Sequence, residues 1–365
     1  PEHWSVLVPE SEATLVGAGV HRDGLVVQHL RDVSSAITLC DPDGARLSEV
    51  ALPAHSTVTG LGADPGTEGA FLTVESFALP PRTVSLDGVV VDALPLPPGF
   101  NPDRHPVRQV WFRSADGTRV PMFLVGRQEG TGPAWLTGYG GFNVPLVPAW
   151  APTLVPFLES GGLFCVANLR GGGEFGEAWH RAGMREQKQH VFDDFLAAAG
   201  WLIQAGLTSP GQLGILGGSN GGLLVGAAMT QRPDLFGAVV CRVALLDMVR
   251  YERFKVARLW AAEYGSADDP DAFGWLYAYS PYHRVRDGVR YPPILLTTGE
   301  EDSRVDGMHA RKMAARLEQA NPGGTVLLRV ASRAGHGQGK PVSMVVDEEV
   351  DVQSFLGWAL GGPGS

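Results

Sequence analysis

The six residues Gly217-Gly218-Ser219-Asn220-Gly221-Gly222 constrain this chain more than any other stretch. They lie between an apolar run, LGIL, and a small-residue run, LLVGAAM, that reads as a helix. A G-x-S-x-G turn between strand and helix is so tight that residues without side chains are needed around the serine, and it lifts the hydroxyl to the carboxyl edge of a sheet. The helix N-terminus beside it favours developing negative charge. The expected fold class is α/β, an α/β-hydrolase with a mostly parallel sheet, and Ser219 is the candidate nucleophile.

A serine hydroxyl is a weak nucleophile at neutral pH, so this fold requires an acid and then a histidine further along the chain. His336 sits between Gly335 and Gly337, in a loop directly after the apolar run TVLLRVA, where a general base must reach back to the elbow. His309 lies inside a helical run and His283 follows Ser-Pro-Tyr, so both read as packing or surface residues. Glu300, Glu301 and Asp302 all follow the strand-like PILLTTG, and spacing does not choose between them as the acid that orients the base. The oxyanion formed by serine attack needs donors. The backbone N–H of Asn220 is one by position. Tyr139, in Gly138-Tyr139-Gly140-Gly141-Phe142-Asn143 after an earlier strand, is a candidate for the second, and on its residues alone is equally a buried structural tyrosine.

Upstream the pattern differs. From Trp4 to about Leu94, runs such as GLVVQHL, SAITLC, GAFLTVESF and TVSLDGVVV alternate with Gly, Pro and Asp turns, which predicts antiparallel strands. The length suits an incomplete β-propeller of about two blades at ~40 to 50 residues each. Pro95 to Pro106, with five prolines, reads as a linker. Residues 1–105 are thus expected to form a partial propeller and linker, and 106–365 the catalytic domain. Strands are expected at Ala134 to Tyr139, Leu163 to Leu169, Leu213 to Gly218, Ala238 to Leu246, Pro293 to Gly299 and Thr325 to Ala331. Helical spacing occupies FDDFLAAAGWLIQAG and GMHARKMAARLEQA.

The 29 basic and 39 acidic residues give a formal charge of −10 with no long block of either sign, which disfavours a nucleic-acid partner. No apolar run approaches the roughly 20 residues of a membrane span, so no membrane role is expected. Cys40, Cys165 and Cys241 are widely spaced, lack C-x-x-C, and read as inert core thiols suited to a reducing, cytoplasmic compartment. Gly171-Gly172-Gly173-Glu174-Phe175-Gly176 satisfies G-x-G-x-x-G, with Asp193 about 20 residues on, but the polar EAWHRAGMREQKQH that follows is unlike the apolar helix of a dinucleotide site. Neither a phosphate-binding G-x-x-x-x-G-K-[ST] nor a zinc-binding H-E-x-x-H occurs, so no cofactor and no metal are expected.

Taken together, GYGGFN, ANLRGGGEFGEAWH, TSPGQLGILGGSNGGLL, QRPDLFG, YSPYH, DSRV and AGHGQGKP resemble the prolyl oligopeptidases through nearly all of Val107 to Leu360. The resemblance implies that Asp302 is the triad acid and that the Tyr139 hydroxyl is the second oxyanion donor. It implies that Trp260, in ARLWAAEYG, stacks on a substrate proline ring, with Phe142 and Tyr264 as nearby pocket walls, and that Arg304 binds a backbone carbonyl on the acyl side of the scissile bond. On residues alone, Trp260 reads as core and Arg304 as a surface charge. Cleavage of short proline-containing peptides on the carboxyl side of proline, through an acyl-enzyme, is the implied function. The alternatives are transpeptidation or macrocyclisation by the same triad, or an inactive fragment that acts only as a binding partner. Family members carry a complete propeller over the active site; this chain, beginning at Pro1, reads as a C-terminal portion of such a protein. The oligomeric state is left open.

Overall fold

The computed structural model describes residues 5–332, 334–337 and 339–361. Trp4, where the strand-rich region was expected to begin, and Gln338 of AGHGQGKP lie outside the described residues.

Two four-stranded antiparallel sheets come first. One is β1 (Thr14–His21), β2 (Gly24–Arg31), β3 (Ser34–Cys40) and β4 (Arg46–Val50); the other is β5 (Thr57–Ala63), β6 (Ala70–Ser76), β7 (Leu79–Ser85) and β8 (Val90–Ala93). Each runs in sequence order, as a propeller blade does. Alternate side chains, among them Val26, Ile37, Val58, Leu72 and Val74, meet in a shared apolar core. TVSLDGVVV is not one strand: Gly88 takes φ +85° and the amide of Ser85 bonds to Val89 O at 3.0 Å, so the chain reverses there into β8.

The remainder builds an eight-stranded sheet from β9 (Val107–Arg113), β10 (Arg119–Gly126), β11 (Ala134–Gly138), β12 (Leu163–Ala167), β13 (Leu213–Gly218), β14 (Ala238–Arg242), β15 (Ile294–Gly299) and β16 (Val326–Ala331). Their spatial order is β16-β15-β14-β13-β11-β12-β10-β9. β10 pairs antiparallel with both β9 and β12, and every other pairing is parallel. Parallel strands covered on both faces are apolar throughout, as LFCVA in β12 is, with all five residues buried. β14 is shorter than the expected Ala238 to Leu246, because Val243 adopts φ 42° and leaves the strand conformation. The helices Gln189–Gln204, Asn220–Gln231, Met308–Ala320 and Val342–Leu360 cover the sheet. This is an α/β-hydrolase fold preceded by propeller-type sheets.

The blades are docked onto the hydrolase. Val33 and Phe77, at the β2–β3 and β6–β7 turns, are buried in one cluster with Phe123, Trp135 and Phe164. The Phe77 ring lies 5.4 Å from that of Phe123. Glu174, in the loop after β12, is 2% exposed and accepts the Leu146 amide at 2.9 Å, with no cation among its hydrogen-bond partners in the described residues. Burial pushes its carboxyl up to about 7, against the opposing hydrogen bonds from Leu146 and Asn168. Between about pH 4.5 and 7 the folded chain therefore keeps a proton that the unfolded chain has released, so stability falls as pH rises through that window. Glu174→Gln preserves the acceptor and removes the charge. Its gain in stability over the native chain is expected to be larger at pH 8 than at pH 5, by up to about 3 kcal/mol, in denaturant titrations; equal differences at the two pH values would contradict the buried-carboxyl account.

Candidate active site

β13 ends at Gly218, and the helix Asn220–Gln231 begins one residue beyond Ser219, which adopts φ 57° and ψ −118°. A side chain is held in this sparsely allowed conformation only when its surroundings fix it. They do so here: the Ser219 amide donates to Arg242 O at 2.9 Å, and Gly222 and Leu223 donate to Ser219 O. The flanking glycines are a packing requirement. A Cβ on Gly217 would lie 2.1 Å from Gly221 O, and one on Gly222 2.4 Å from Ala244 Cβ. The elbow expected from G-x-S-x-G is present, with its hydroxyl half-buried at the carboxyl edge of the sheet.

His336 Nε2 lies 3.1 Å from Ser219 Oγ, and His336 Nδ1 lies 2.7 Å from Asp302 Oδ2. The other Asp302 oxygen accepts the amides of Arg304 at 2.8 Å and Val305 at 2.9 Å. Burial alone would raise this carboxyl, but hydrogen bonds from His336 and those amides outweigh it and hold the group below its ordinary value. Glu300 and Glu301, which sequence spacing left as candidates, are exposed. His309 is buried and accepts the amides of Leu246 and Asp247, and His283 bonds to Ser280, which fits the packing roles expected of them.

Tyr139 follows β11, half-buried. Burial raises its phenol, opposed by hydrogen bonding with the Ser219 hydroxyl and by the charge of Arg304. The Asn220 amide is the first of its helix and has no intrahelical acceptor by geometry. Its side chain braces the site: Nδ2 donates to Tyr139 O at 2.6 Å, and Oδ1 accepts from Tyr264 Oη at 2.8 Å. Phe142 stands edge-on to Trp260, with ring centroids 6.4 Å apart, and to Tyr264 at 5.4 Å. Trp260 and Phe142 are partly exposed, whereas Tyr264 is fully buried behind Phe142 and supports the aromatic surface instead of forming it. Arg304 is exposed. Among the described residues no cluster of three or more His, Cys, Asp or Glu side chains is arranged to hold a metal ion.

Lys188, Glu263 and His180 were not singled out from sequence. Lys188 Nζ donates to Gly140 O at 2.7 Å, Glu263 Oε1 accepts the Phe142 amide at 2.9 Å, and Glu263 Oε2 lies 2.8 Å from His180 Nε2. Burial lowers the Lys188 ammonium to about 8, against the attraction of Glu263. Glu263 stands three positions after Trp260, and its place in that aromatic stretch was the available signal.

The model of the prolyl oligopeptidase family matches residues 150–363, and that of the prolyl oligopeptidase N-terminal β-propeller domain matches residues 1–89. A prolyl endopeptidase from Elizabethkingia miricola is 37% identical over 99% of this chain and 52% of its own length. Among solved structures, one from a study of two prolyl endopeptidases superposes with a TM-score of 0.94 at 43% identity, covering 99% of this chain and 55% of that one. Prolyl oligopeptidase B from Galerina marginata, solved bound to a 35mer hydrolysis and macrocyclization substrate, gives 0.91 at 32% identity, covering 98% and 53%. The chain spans about half the length of the curated relatives it matches. With the serine elbow, the propeller-type sheets and both family matches in agreement, the chain belongs to the prolyl oligopeptidase family.

Proposed function

We propose that this chain carries the catalytic machinery of a serine endopeptidase that cleaves short peptides on the carboxyl side of proline. The observation that carries this reading is the hydrogen-bond chain from Asp302 through His336 to Ser219, ending at a strained elbow. In the proposed division of the chain, residues 1–105 are propeller blades and linker and residues 106–365 are the catalytic domain.

His336 Nε2 takes the Ser219 proton as Oγ attacks the carbonyl carbon of the substrate proline, and Asp302 stabilises the resulting imidazolium and fixes its tautomer. The oxyanion is received by the Asn220 amide and the Tyr139 hydroxyl. Because burial raises the Tyr139 phenol, it remains a donor across the neutral range. His336 then protonates the departing amine, which leaves an acyl ester on Ser219. Water activated by the same imidazole releases the peptide acid. Trp260 and Phe142, backed by Tyr264, offer a flat apolar surface that suits a pyrrolidine ring, and Arg304 binds a carbonyl on the acyl side. A cytoplasmic location accompanies this reading, on the ground that Cys40, Cys165 and Cys241 are buried and unpaired.

A second reading, transpeptidation, is favoured by relatives such as the one solved with a macrocyclization substrate and a dual function macrocyclase-peptidase from the same organism. An amine in place of water would attack the same acyl ester. The masses of products from a long-tailed peptide separate the two, since a cyclic product lacks the added water.

Ser219→Ala is expected to abolish hydrolysis of a blocked Gly-Pro chromogenic peptide while leaving the melting temperature within a few degrees; undiminished turnover would remove Ser219 from the mechanism. Tyr139→Phe should lower kcat by roughly 10- to 10³-fold with little change in KM, the scale of one oxyanion donor. A change confined to KM would contradict the donor role. Trp260→Ala should raise KM for the proline peptide more than for its alanine analogue, and an equal rise for both would show that the indole does not recognise the ring.

A further inference from the structure

The segment that carries Tyr139 has an improbable backbone. Gly140, Phe142 and Asn143 all take φ near +60°, at 61°, 59° and 57°, and for the last two this is a conformation that L side chains keep only under external constraint. The constraint is supplied largely by buried side chains from elsewhere in the chain. Lys188, 1% exposed and directly before the helix Gln189–Gln204, donates to Gly140 O at 2.7 Å. Glu263, 5% exposed, accepts the Phe142 amide at 2.9 Å. The two charges stand 3.7 Å apart. His180 Nε2 holds the second Glu263 oxygen at 2.8 Å.

We propose that the buried Lys188–Glu263 ion pair is a positioning device for the reaction, setting the Tyr139 hydroxyl against Ser219 by fixing the backbone of residues 140–142. The inference rests on the reading of Tyr139 as an oxyanion donor. A buried ion pair is a poor way to add stability, since desolvating both charges offsets most of their attraction and an apolar pair of similar volume serves as well. Its directional hydrogen bonds are what an apolar pair cannot provide, and both charges spend one on this loop. The arrangement is also close-fitting: a Cβ on Gly141 would lie 3.0 Å from Lys188 Nζ and 2.6 Å from Asn220 Nδ2. A carbonyl and an amide on either side of Gly141 are thus clamped by opposite charges. Asn220 Nδ2 holds the carbonyl of Tyr139 itself. Glu263 belongs to the short helix Ala261–Tyr264 that follows Trp260, so the same carboxylate ties the oxyanion loop to the segment bearing the aromatic slot. Displacing a donor by a fraction of an ångström weakens it most where charge develops, so the effect belongs to kcat.

The test measures kcat and KM on the blocked Gly-Pro peptide for Lys188→Met and Glu263→Gln, each in the native and the Tyr139→Phe backgrounds. Melting curves confirm that every variant is folded, and Glu263→Gln keeps an acceptor for the Phe142 amide should Lys188→Met fail to fold. Both substitutions are expected to lower kcat about tenfold or more with KM within about twofold in the native background, and to have little further effect once the Tyr139 hydroxyl is gone. Equal proportional losses in both backgrounds, or lowered melting temperatures with native kcat, would assign the pair a merely structural role and overturn the proposal. If Tyr139→Phe lowers kcat and the pair's substitutions do not, only the positioning role falls. If Tyr139→Phe itself has no effect, the donor reading and the inference fall together.

Discussion

The conformation of Ser219 is the constraint on which the rest of the site depends. Its φ of 57° and ψ of −118° cost energy that a free chain would not accept, and the structure holds it by packing a glycine-lined helix directly against the end of β13. Larger residues at Gly217, Gly221 or Gly222 would meet backbone or the Ala244 side chain at under 3 Å. The same turn delivers three things at once: a hydroxyl at the sheet edge, the first amide of a helix beside it at Asn220, and the N-terminal end of that helix, which favours negative charge.

The two partners of the serine arrive by different means. Asp302 follows the buried strand β15 and is fixed by two backbone amides, so its position is set by the fold. His336 leaves the edge strand β16 on a loop with glycines at 335, 337 and 339, and its ring is anchored by its hydrogen bonds with the aspartate and serine. In the proposed mechanism the imidazole is the group that acts by moving a proton, accepting it from the serine and delivering it to the leaving amine. The proposed oxyanion side is the opposite: its loop is clamped by Lys188, Glu263 and Asn220, as suits a group whose value lies in not having to move.

How legible this was in the sequence varied with the kind of constraint. Gly-rich turns and continuous apolar strands announce themselves, so the elbow and the span of β13 matched expectation residue for residue. Strand ends were less legible, because a single residue can leave the β region: β14 stops at Arg242 where Val243 turns to positive φ, and Gly88 folds an apolar run into a hairpin. The triad order followed from the fold, but choosing Asp302 among three carboxylates needed the family resemblance or the coordinates, since Glu300 and Glu301 differ from it only in the direction of a tight turn. Lys188, Glu263 and Glu174 escaped notice because charged residues on a sequence read as solvated, and their burial depends on contacts with segments far away along the chain. Tyr264 was legible as part of the aromatic group but not as a fully buried support whose hydroxyl secures Asn220.

The central claim is that an alcohol at residue 219 is activated by an imidazole 117 positions further along the chain. Treating the protein with a fluorophosphonate and locating the adduct by peptide mass spectrometry measures that activation directly. The account requires a single adduct, on Ser219, that is lost when His336 is replaced by alanine; no adduct, one on another hydroxyl, or labelling that survives loss of the imidazole would contradict it.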